Sequence, residues 1–143
     1  MNKVLIDTDV ILDFFFDRKP FSLNAAIIFS LCESKKIQGF ITPVIISNTY
    51  YLLRKTASHE KIIDKLKKLL SITEVLLMNQ EVVIKAINSD FPDFEDALQH
   101  SAAIHHERIN AIITRNFKDF KKSKIEVFTP ENFIQTIIES YKS

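Results

Sequence analysis

The sequence predicts an α/β fold with three layers (α/β/α), in which helices cover both faces of a central, mostly parallel sheet. Short apolar runs alternate with longer stretches of helical periodicity along the chain. These runs are apolar at successive positions, which is typical of strands buried on both faces of a parallel sheet. The chain has 143 residues, 46% of them hydrophobic, which suffices for one core, so we expect a single domain over residues 1–143.

Five apolar segments predict strands, and helical signals fill the intervals between most of them. The strands are expected near residues 2–7, 39–42, 73–78, 110–114 and 125–128. The helices are expected over residues 22–35, 44–57, 80–88, 93–107 and 130–141. One more helix has the clearest signal, an apolar stripe at helical spacing formed by Ile62, Ile63, Leu66, Leu69 and Leu70.

Composition removes several common classes of site. Gly39 is the only glycine, so the chain cannot form a glycine-rich phosphate-binding loop or a dinucleotide-binding fingerprint. Cys32 is the only cysteine, which excludes an internal disulfide and a cysteine-rich zinc site. The four histidines form no His-Glu-x-x-His motif. Carboxylates therefore remain the main chemical resource of the chain.

Charge and hydropathy bear on partners and location. The net charge of +1 gives no overall attraction to nucleic acid, so such binding has to come from local basic clusters. No apolar run approaches the roughly 20 residues needed to cross a bilayer. Asp7 interrupts the first apolar segment too early for a signal peptide. We therefore expect a cytoplasmic protein without membrane contact.

The first acidic feature follows the first predicted strand, where Asp7 and Asp9 come directly after the run Val4-Leu5-Ile6. The carboxyl ends of strands are the edge at which open α/β sheets bind ligands. Asp7 and Asp9 are therefore candidates for metal binding or phosphoryl chemistry. The alternative is that they only cap the turn after the strand.

The second acidic feature starts the helix expected from residue 93. Asp93 and Asp96 are three residues apart, so they share one face of that helix. Asp96 borders the apolar stripe and is expected to point toward the edge of the sheet. The alternative is that both acids only offset the helix dipole.

A third polar segment follows the strand expected near residues 110–114. If the strands are parallel, Thr114, Asn116 and Asp119 lie at the same edge as Asp7. Three distant segments then bring hard oxygen ligands to one place. Such ligands suit Mg²⁺ or Mn²⁺ far better than zinc.

These motifs, in this order and spacing, resemble the PIN-domain ribonucleases, including the toxins of bacterial VapBC-type toxin–antitoxin pairs. The resemblance covers nearly the whole chain. It rests on residues 4–13 (VLIDTDVILD), 42–48 (TPVIISN), 93–99 (DFEDALQ) and 113–116 (ITRN).

The resemblance implies a catalytic site of four acidic positions, which fall on Asp7, Asn48, Asp96 and Asn116. Two are amides here, and an amide oxygen can coordinate Mg²⁺ but adds no negative charge. The nearby acids that are candidates to replace the missing charge are Asp9, Asp93, Glu95 and Asp119. The expected metal ligands are Asp7, Asp96, Asp93 and Asp119. Thr114 is expected to support a ligand rather than touch the metal.

The activity that the resemblance implies is hydrolysis of RNA phosphodiesters by metal-activated water, with Mg²⁺ or Mn²⁺ as cofactor. Arg54, Arg115 and Lys118 are the candidates for steering the RNA backbone. The resemblance also implies an antitoxin protein as a partner. We expect a homodimer. Phe14, Phe15 and Phe16 cannot all face one core, so one of them is a candidate for a dimer or partner surface, and burial around a turn is the favoured alternative.

Two other functions remain open. Asp7-Thr8-Asp9-Val10 after a strand also resembles the nucleophile motif of haloacid-dehalogenase-type phosphatases, in which Asp7 would form an aspartyl-phosphate. The chain is short for that fold and lacks a clear late motif of paired acids beside a lysine. The second alternative is a catalytically impaired PIN-like module that binds RNA or protein, and the two amides favour it.

Overall fold

Five parallel strands form one sheet in the computed structural model, which describes residues 2–106 and 108–142. The strands are β1 (Asn2–Ile6), β2 (Ile37–Ile41), β3 (Thr73–Val75), β4 (Ala111–Ile113) and β5 (Glu126–Phe128). Their order in the sheet is β3-β2-β1-β4-β5, and every pairing is parallel.

Seven α-helices and one short 3₁₀-helix connect these strands within the described residues. The α-helices are α1 (Thr8–Phe15), α2 (Ser22–Glu33), α3 (Pro43–Leu53), α4 (His59–Ile72), α5 (Gln80–Ile87), α6 (Phe94–His106) and α7 (Pro130–Lys142). The 3₁₀-helix spans Phe117–Phe120. The predicted three-layer α/β/α fold is confirmed, and all five expected strands are present.

The register of the sheet determines where the polar segments meet. β1 is central and pairs with β2 on one side and β4 on the other, with Ile6 opposite Ile113. The backbone N–H of Asp7 donates to the Ile113 carbonyl oxygen at 3.0 Å. Asp7 and Thr114 therefore leave the sheet side by side at its carboxyl edge.

The core explains why the only glycine and the only cysteine of the chain are neighbours in space. Cys32 on α2 is buried. A Cβ added at Gly39 on β2 would lie 2.7 Å from the Cys32 Sγ, and it would crowd Ile6 and Thr73 as well. Helix α2 can therefore approach β2 this closely only because residue 39 has no side chain.

The sequence analysis missed helix α1. Residues 8–15 follow β1 directly, and the apolar run Val10-Ile11-Leu12 resembles a continuing strand when it is read without its cap. In the structure, Asp7 is the N-cap, and its side chain accepts a hydrogen bond from the Thr8 backbone N–H at 2.7 Å. The cap turns the chain away from the sheet one residue after the strand ends.

Other differences concern the ends of elements. The helix expected over residues 44–57 ends at Leu53, and the strand expected over 73–78 is only three residues long. The helix expected over 93–107 spans Phe94–His106, and residue 107 lies outside the described residues. In the described part of the chain, none of the helices combines the length and apolarity that a membrane span requires.

Candidate active site

A cleft of 560 Å³ opens at the carboxyl edge of the sheet, and six carboxylates line it. They come from the end of β1 and the start of α1, from the start of α6, and from the 3₁₀-helix after β4. The six are Asp7, Asp9, Asp93, Glu95, Asp96 and Asp119. Asn48 and Asn116 line the same cleft. All four positions that the resemblance assigned to the site therefore lie around one cleft.

Asp7 is the most firmly held of these carboxylates, and it is only 5% exposed. One oxygen accepts the Thr8 backbone N–H, and the other accepts the Thr114 hydroxyl at 2.8 Å. The buried Gln99 side chain also donates to Asp7. Burial raises the pKa of Asp7 above its ordinary value, and these hydrogen bonds oppose the rise. The carboxylate is thus fixed in position while it is largely shielded from water.

Asp96 lies in the first turn of α6, where Asp93 acts as the cap by accepting the Asp96 backbone N–H at 3.0 Å. Burial, followed by the charges of Asp7, Asp93, Asp119 and Glu95 in that order, raises the pKa of Asp96 to about 7. These acids therefore lie close enough to repel one another. A cation bound among them would relieve that repulsion.

Asn48 lies on α3 with its amide beside a carboxylate. Its Nδ2 donates to Glu95 Oε2 at 2.9 Å. Glu95 therefore places a negative charge next to the position at which the resemblance implies an acid. The amide nitrogen faces Glu95, so the amide oxygen remains available as an acceptor.

The segment after β4 holds the Asp7 carboxylate in place by a hydrogen bond. Thr114 is fully buried; its hydroxyl donates to Asp7 and accepts the Asn116 backbone N–H at 3.0 Å. The side chains of Asn116 and Asp119 are exposed along the cleft. The charge of Asp119 contributes to the raised pKa values of both Asp7 and Asp96.

A second network lies next to the cleft and joins α1 to the same segment. Asp9 accepts the Arg115 backbone N–H at 3.0 Å. The Arg115 guanidinium donates to both oxygens of Asp13, at 2.6 and 2.9 Å, and its carbon lies 3.9 Å from the centre of the Phe21 ring. Asp13 is 1% exposed, so this ion pair is its main counter-charge. Burial, followed by the charge of Asp7, raises the pKa of Asp9 to about 6.

The three basic residues expected to contact RNA are placed outside the lining of the cleft. Arg115 is engaged by Asp13, and Arg54 donates to the Ala57 carbonyl oxygen at 3.1 Å. Lys118 is exposed on the 3₁₀-helix. The cations that do line the cleft are Arg18 and Lys55. Lys55 belongs to a basic cluster visible in the sequence, whereas Arg18 has no such signal.

Two further residues of the site were missed in the sequence. Gln99 is the fourth residue of the α6 segment that begins with Asp96, and its spacing from Asp96 places it on the same side of the helix. Asp13 follows Asp9 by four residues, a spacing that helix α1 would have revealed as one face. Neither could be assigned without knowing what it contacts.

The donor set fits Mg²⁺ or Mn²⁺, although it does not form a ready-made cage. Within residues 2–106 and 108–142, no group of three or more His, Cys, Asp or Glu side chains could hold a metal ion as placed. Mg²⁺ does not need one, because it commonly binds one or two carboxylates and keeps several waters. Asp7 and Asp96, whose charges interact, form such a pair, and the remaining oxygens of the cleft are carboxylates and amides.

Comparison with known proteins bears on the family and the fold of the chain. A curated relative, ribonuclease VapC1 of Aquifex aeolicus, is 28% identical over 138 residues, which is 93% of this chain and 94% of the relative. Among solved structures, a toxin–antitoxin complex from Klebsiella pneumoniae has a TM-score of 0.66 at 22% identity. The match covers 89% of this chain and 97% of that one.

A second solved structure has the same fold. The Mycobacterium tuberculosis toxin VapC20, described as cleaving the sarcin–ricin loop, has a TM-score of 0.62 at 16% identity. The match covers 82% of this chain and 95% of that one. Neither these proteins nor the fold supports the phosphatase alternative. A family model described as PIN domain matches residues 3–118, which include every segment that lines the cleft up to Asn116. The chain therefore belongs to the PIN domain family.

Proposed function

We propose that the protein is an endoribonuclease that requires Mg²⁺ or Mn²⁺ and that acts as the toxin of a toxin–antitoxin pair. The observation that carries the proposal is the convergence of Asp7, Asp96 and Asp119 from three distant segments at one cleft, with mutual repulsion that a cation would relieve. The similarity to ribonuclease VapC1 over 93% of the chain supports the same activity.

Each side chain of the cleft has a proposed role. Asp7 and Asp96 hold the ion, and the exposed acids Asp93 and Asp119 complete its negative surroundings. Asn48 and Asn116 contribute amide groups that orient water in the cleft. The bound ion supplies Lewis-acid chemistry that activates water and offsets charge on the phosphodiester.

The remaining residues position these groups. Thr114 and Gln99 fix the orientation of the Asp7 carboxylate, so its reorganisation on binding an ion is small. Glu95, held by Asn48, replaces part of the negative charge that the two amides lack. Lys55 is the cation placed to contact RNA phosphates at the cleft, whereas Arg18 lines the cleft but lies 3.8 Å from the Asp13 carboxylate.

Substitution of the two central carboxylates tests this proposal. We expect Asp7→Asn and Asp96→Asn each to reduce Mn²⁺-dependent cleavage of RNA by about 100-fold or more, because charge is lost where the phosphodiester is attacked. Cleavage is measured on end-labelled RNA with Mn²⁺ and with EDTA. Asp64→Asn is the matched control, since Asp64 is an exposed carboxylate on α4 outside the cleft. Unchanged cleavage in both cleft variants would contradict the proposal.

The catalytically impaired module is distinguished by metal binding. Asn48 and Asn116 stand at two positions of the implied acidic site, and they favour this second candidate. Calorimetric titration with Mn²⁺ separates the two functions. Absence of Mn²⁺ binding, together with retained RNA binding, would support the non-catalytic module.

The proposed partners follow from the same similarities. The Klebsiella pneumoniae protein was solved as a toxin–antitoxin complex, and we propose an antitoxin for this chain as well, in the cytoplasm where RNA is the target. We also propose a homodimer. Phe14 is 41% exposed, whereas Phe15 and Phe16 are partly buried, so Phe14 is the member of this run available to a partner. A mass in light scattering of twice 16.6 kDa is the expected result.

A further inference from the structure

Helix α3 and the turn that follows it present a distinct set of side chains to the cleft. Asn48, Tyr51, Leu52 and Lys55 have the spacing i, i+3, i+4 and i+7, and all four line the cleft. The opposite side of the helix is formed by Ile45, Thr49 and Leu53, which are buried in the core. Tyr51 and Lys55 are therefore not needed to fill the core.

The ring of Tyr51 is supported but accessible. It lies edge-on to the Tyr50 ring, with centroids 5.3 Å apart and an interplanar angle of 89°. Tyr50 is itself held, because its hydroxyl makes a 2.8 Å hydrogen bond with His59 Nδ1. Tyr51 remains 68% exposed. A single edge-to-face contact covers at most one face of a ring, so at least one face of Tyr51 is open to a ligand.

Lys55 is placed one turn beyond Tyr51 on the same side. No carboxylate of the described residues forms a salt bridge with Lys55, so its charge is available. The floor of the cleft is acidic, and it repels phosphate until a cation is bound. Affinity for RNA must then come from the walls, through an uncharged aromatic surface and a cation.

We propose that Tyr51 on α3 stacks on an unpaired base of the RNA substrate while Lys55, in the turn after α3, contacts a neighbouring phosphate. The inference rests on the proposed function and identifies two residues that position its substrate. Both faces of a base in a duplex are covered by its neighbours, whereas an unpaired base can leave the stack and lie against an aromatic ring. The exposed face of Tyr51 therefore discriminates by strandedness.

A tryptophan reporter tests the stacking directly. The chain contains no tryptophan, so Tyr51→Trp introduces a single emitter at the proposed platform. The probe is a pool of random 12-nucleotide RNAs, added in EDTA so that binding is measured without cleavage. We expect quenching by the single strands and none by the same length of RNA duplex. Tyr141→Trp is the matched control, since Tyr141 is also 68% exposed and lies outside the cleft.

Affinity provides the second measurement. We expect Tyr51→Ala to weaken binding of the single-stranded pool about 10-fold, and Tyr51→Phe to stay within about twofold of the wild type, because stacking needs the ring and not the hydroxyl. Tyr141→Ala should leave binding unchanged. Equal quenching by single strands and duplex, or unchanged affinity in Tyr51→Ala, would overturn the inference.

The outcomes separate this inference from the proposed function. If the wild type fails to cleave RNA in Mn²⁺ while Tyr51→Ala still loses affinity for RNA, the ribonuclease function is wrong and the stacking role of Tyr51 stands. If the wild type cleaves RNA normally and Tyr51→Ala binds RNA as tightly as the wild type, the ribonuclease function stands and the stacking role is wrong. Loss of dimer mass in Tyr51→Ala with unchanged RNA binding would assign the ring to a protein contact, and the inference would be wrong.

Discussion

Arg115 has a different role in the structure from the one that its charge suggests. In the sequence it belongs to a basic cluster, and a phosphate contact is the natural expectation. In the structure its guanidinium forms a two-pronged ion pair with the buried Asp13, and its backbone N–H holds Asp9 beside Asp7. Arg115 therefore connects α1 to the segment that carries Thr114, Asn116 and Asp119.

This placement predicts a loss of stability when Arg115 is removed. We expect Arg115→Ala to lower the free energy of unfolding by about 3 kcal/mol, because the buried Asp13 then keeps only its longer ion pair with Arg18, at 3.8 Å. Urea denaturation measures the change. Arg115→Lys should recover only part of it, since an ammonium cannot bond both carboxylate oxygens in the same plane.

The control for this prediction is Lys118→Ala, which removes a nearby exposed cation. We expect that variant to unfold like the wild type. A normal unfolding midpoint in Arg115→Ala would show that the ion pair with Asp13 does not stabilise the fold.

At the scale of elements, the contact between α2 and β2 determines how closely a helix approaches the sheet. Gly39 lies opposite Val4 of β1 and Thr73 of β3, in the middle of three strands. The absence of a side chain there lets Cys32 reach the sheet. The composition showed that residue 39 is the only glycine, but it did not show that the packing of α2 requires a glycine there.

We expect Gly39→Ala to destabilise the protein by about 1–3 kcal/mol, because the added methyl group overpacks this contact. Thermal unfolding measures the loss. Combining it with Cys32→Ala should restore part of the stability, because the thiol at 2.7 Å is the nearest atom to the new methyl group. Purely additive losses in the double variant would mean that the thiol is not the obstacle.

For the molecule as a whole, the acidic cleft sets the dependence of stability on pH. Burial raises the pKa of Asp96 to about 7 and that of Asp9 to about 6, from an ordinary value of 3.8. Between the ordinary pKa and the raised pKa of each group, the folded protein binds more protons than the unfolded chain. The free energy of unfolding therefore falls as the pH rises from about 4 to about 7. Function places repelling charges here at a cost in stability.

Asp96→Asn is expected to raise the melting temperature of the metal-free protein at pH 7.5 by roughly 3–6 °C, although the same change is expected to reduce RNA cleavage. The gap between the two proteins should already be smaller at pH 5 and should close near pH 4, where the unfolded chain also begins to hold the proton on Asp96. Burial lowers the pKa of His100, which changes stability with pH in the opposite direction. Both proteins contain His100, so its contribution cancels when their melting temperatures are compared. Mn²⁺ should stabilise the wild type more at pH 7.5 than at pH 5. Identical melting at both pH values would contradict the repulsion.

Much of the fold was predictable because its signals are local. Successive apolar residues predicted each strand of the parallel sheet, and all five strands were found. Helix α1 was not predicted, because a helix of eight residues is too short for its helical periodicity to be distinguished from the strand before it. The ends of α3 and β3 depend on packing against neighbours, and no local pattern marks them.

The amino-acid sequence by itself determined the order of the strands and of every helix but α1. It also determined the edge at which Asp7 and Asn116 emerge, because parallel strands all present their carboxyl ends on one side. Only the tertiary structure decided which polar groups meet there. Thr114 reaches Asp7 across 107 residues of chain, Asn48 reaches Glu95 across 47, and Arg115 reaches Asp13 across 102. Such pairs leave no periodic trace in the sequence, since each depends on how separate helices and loops pack around one sheet.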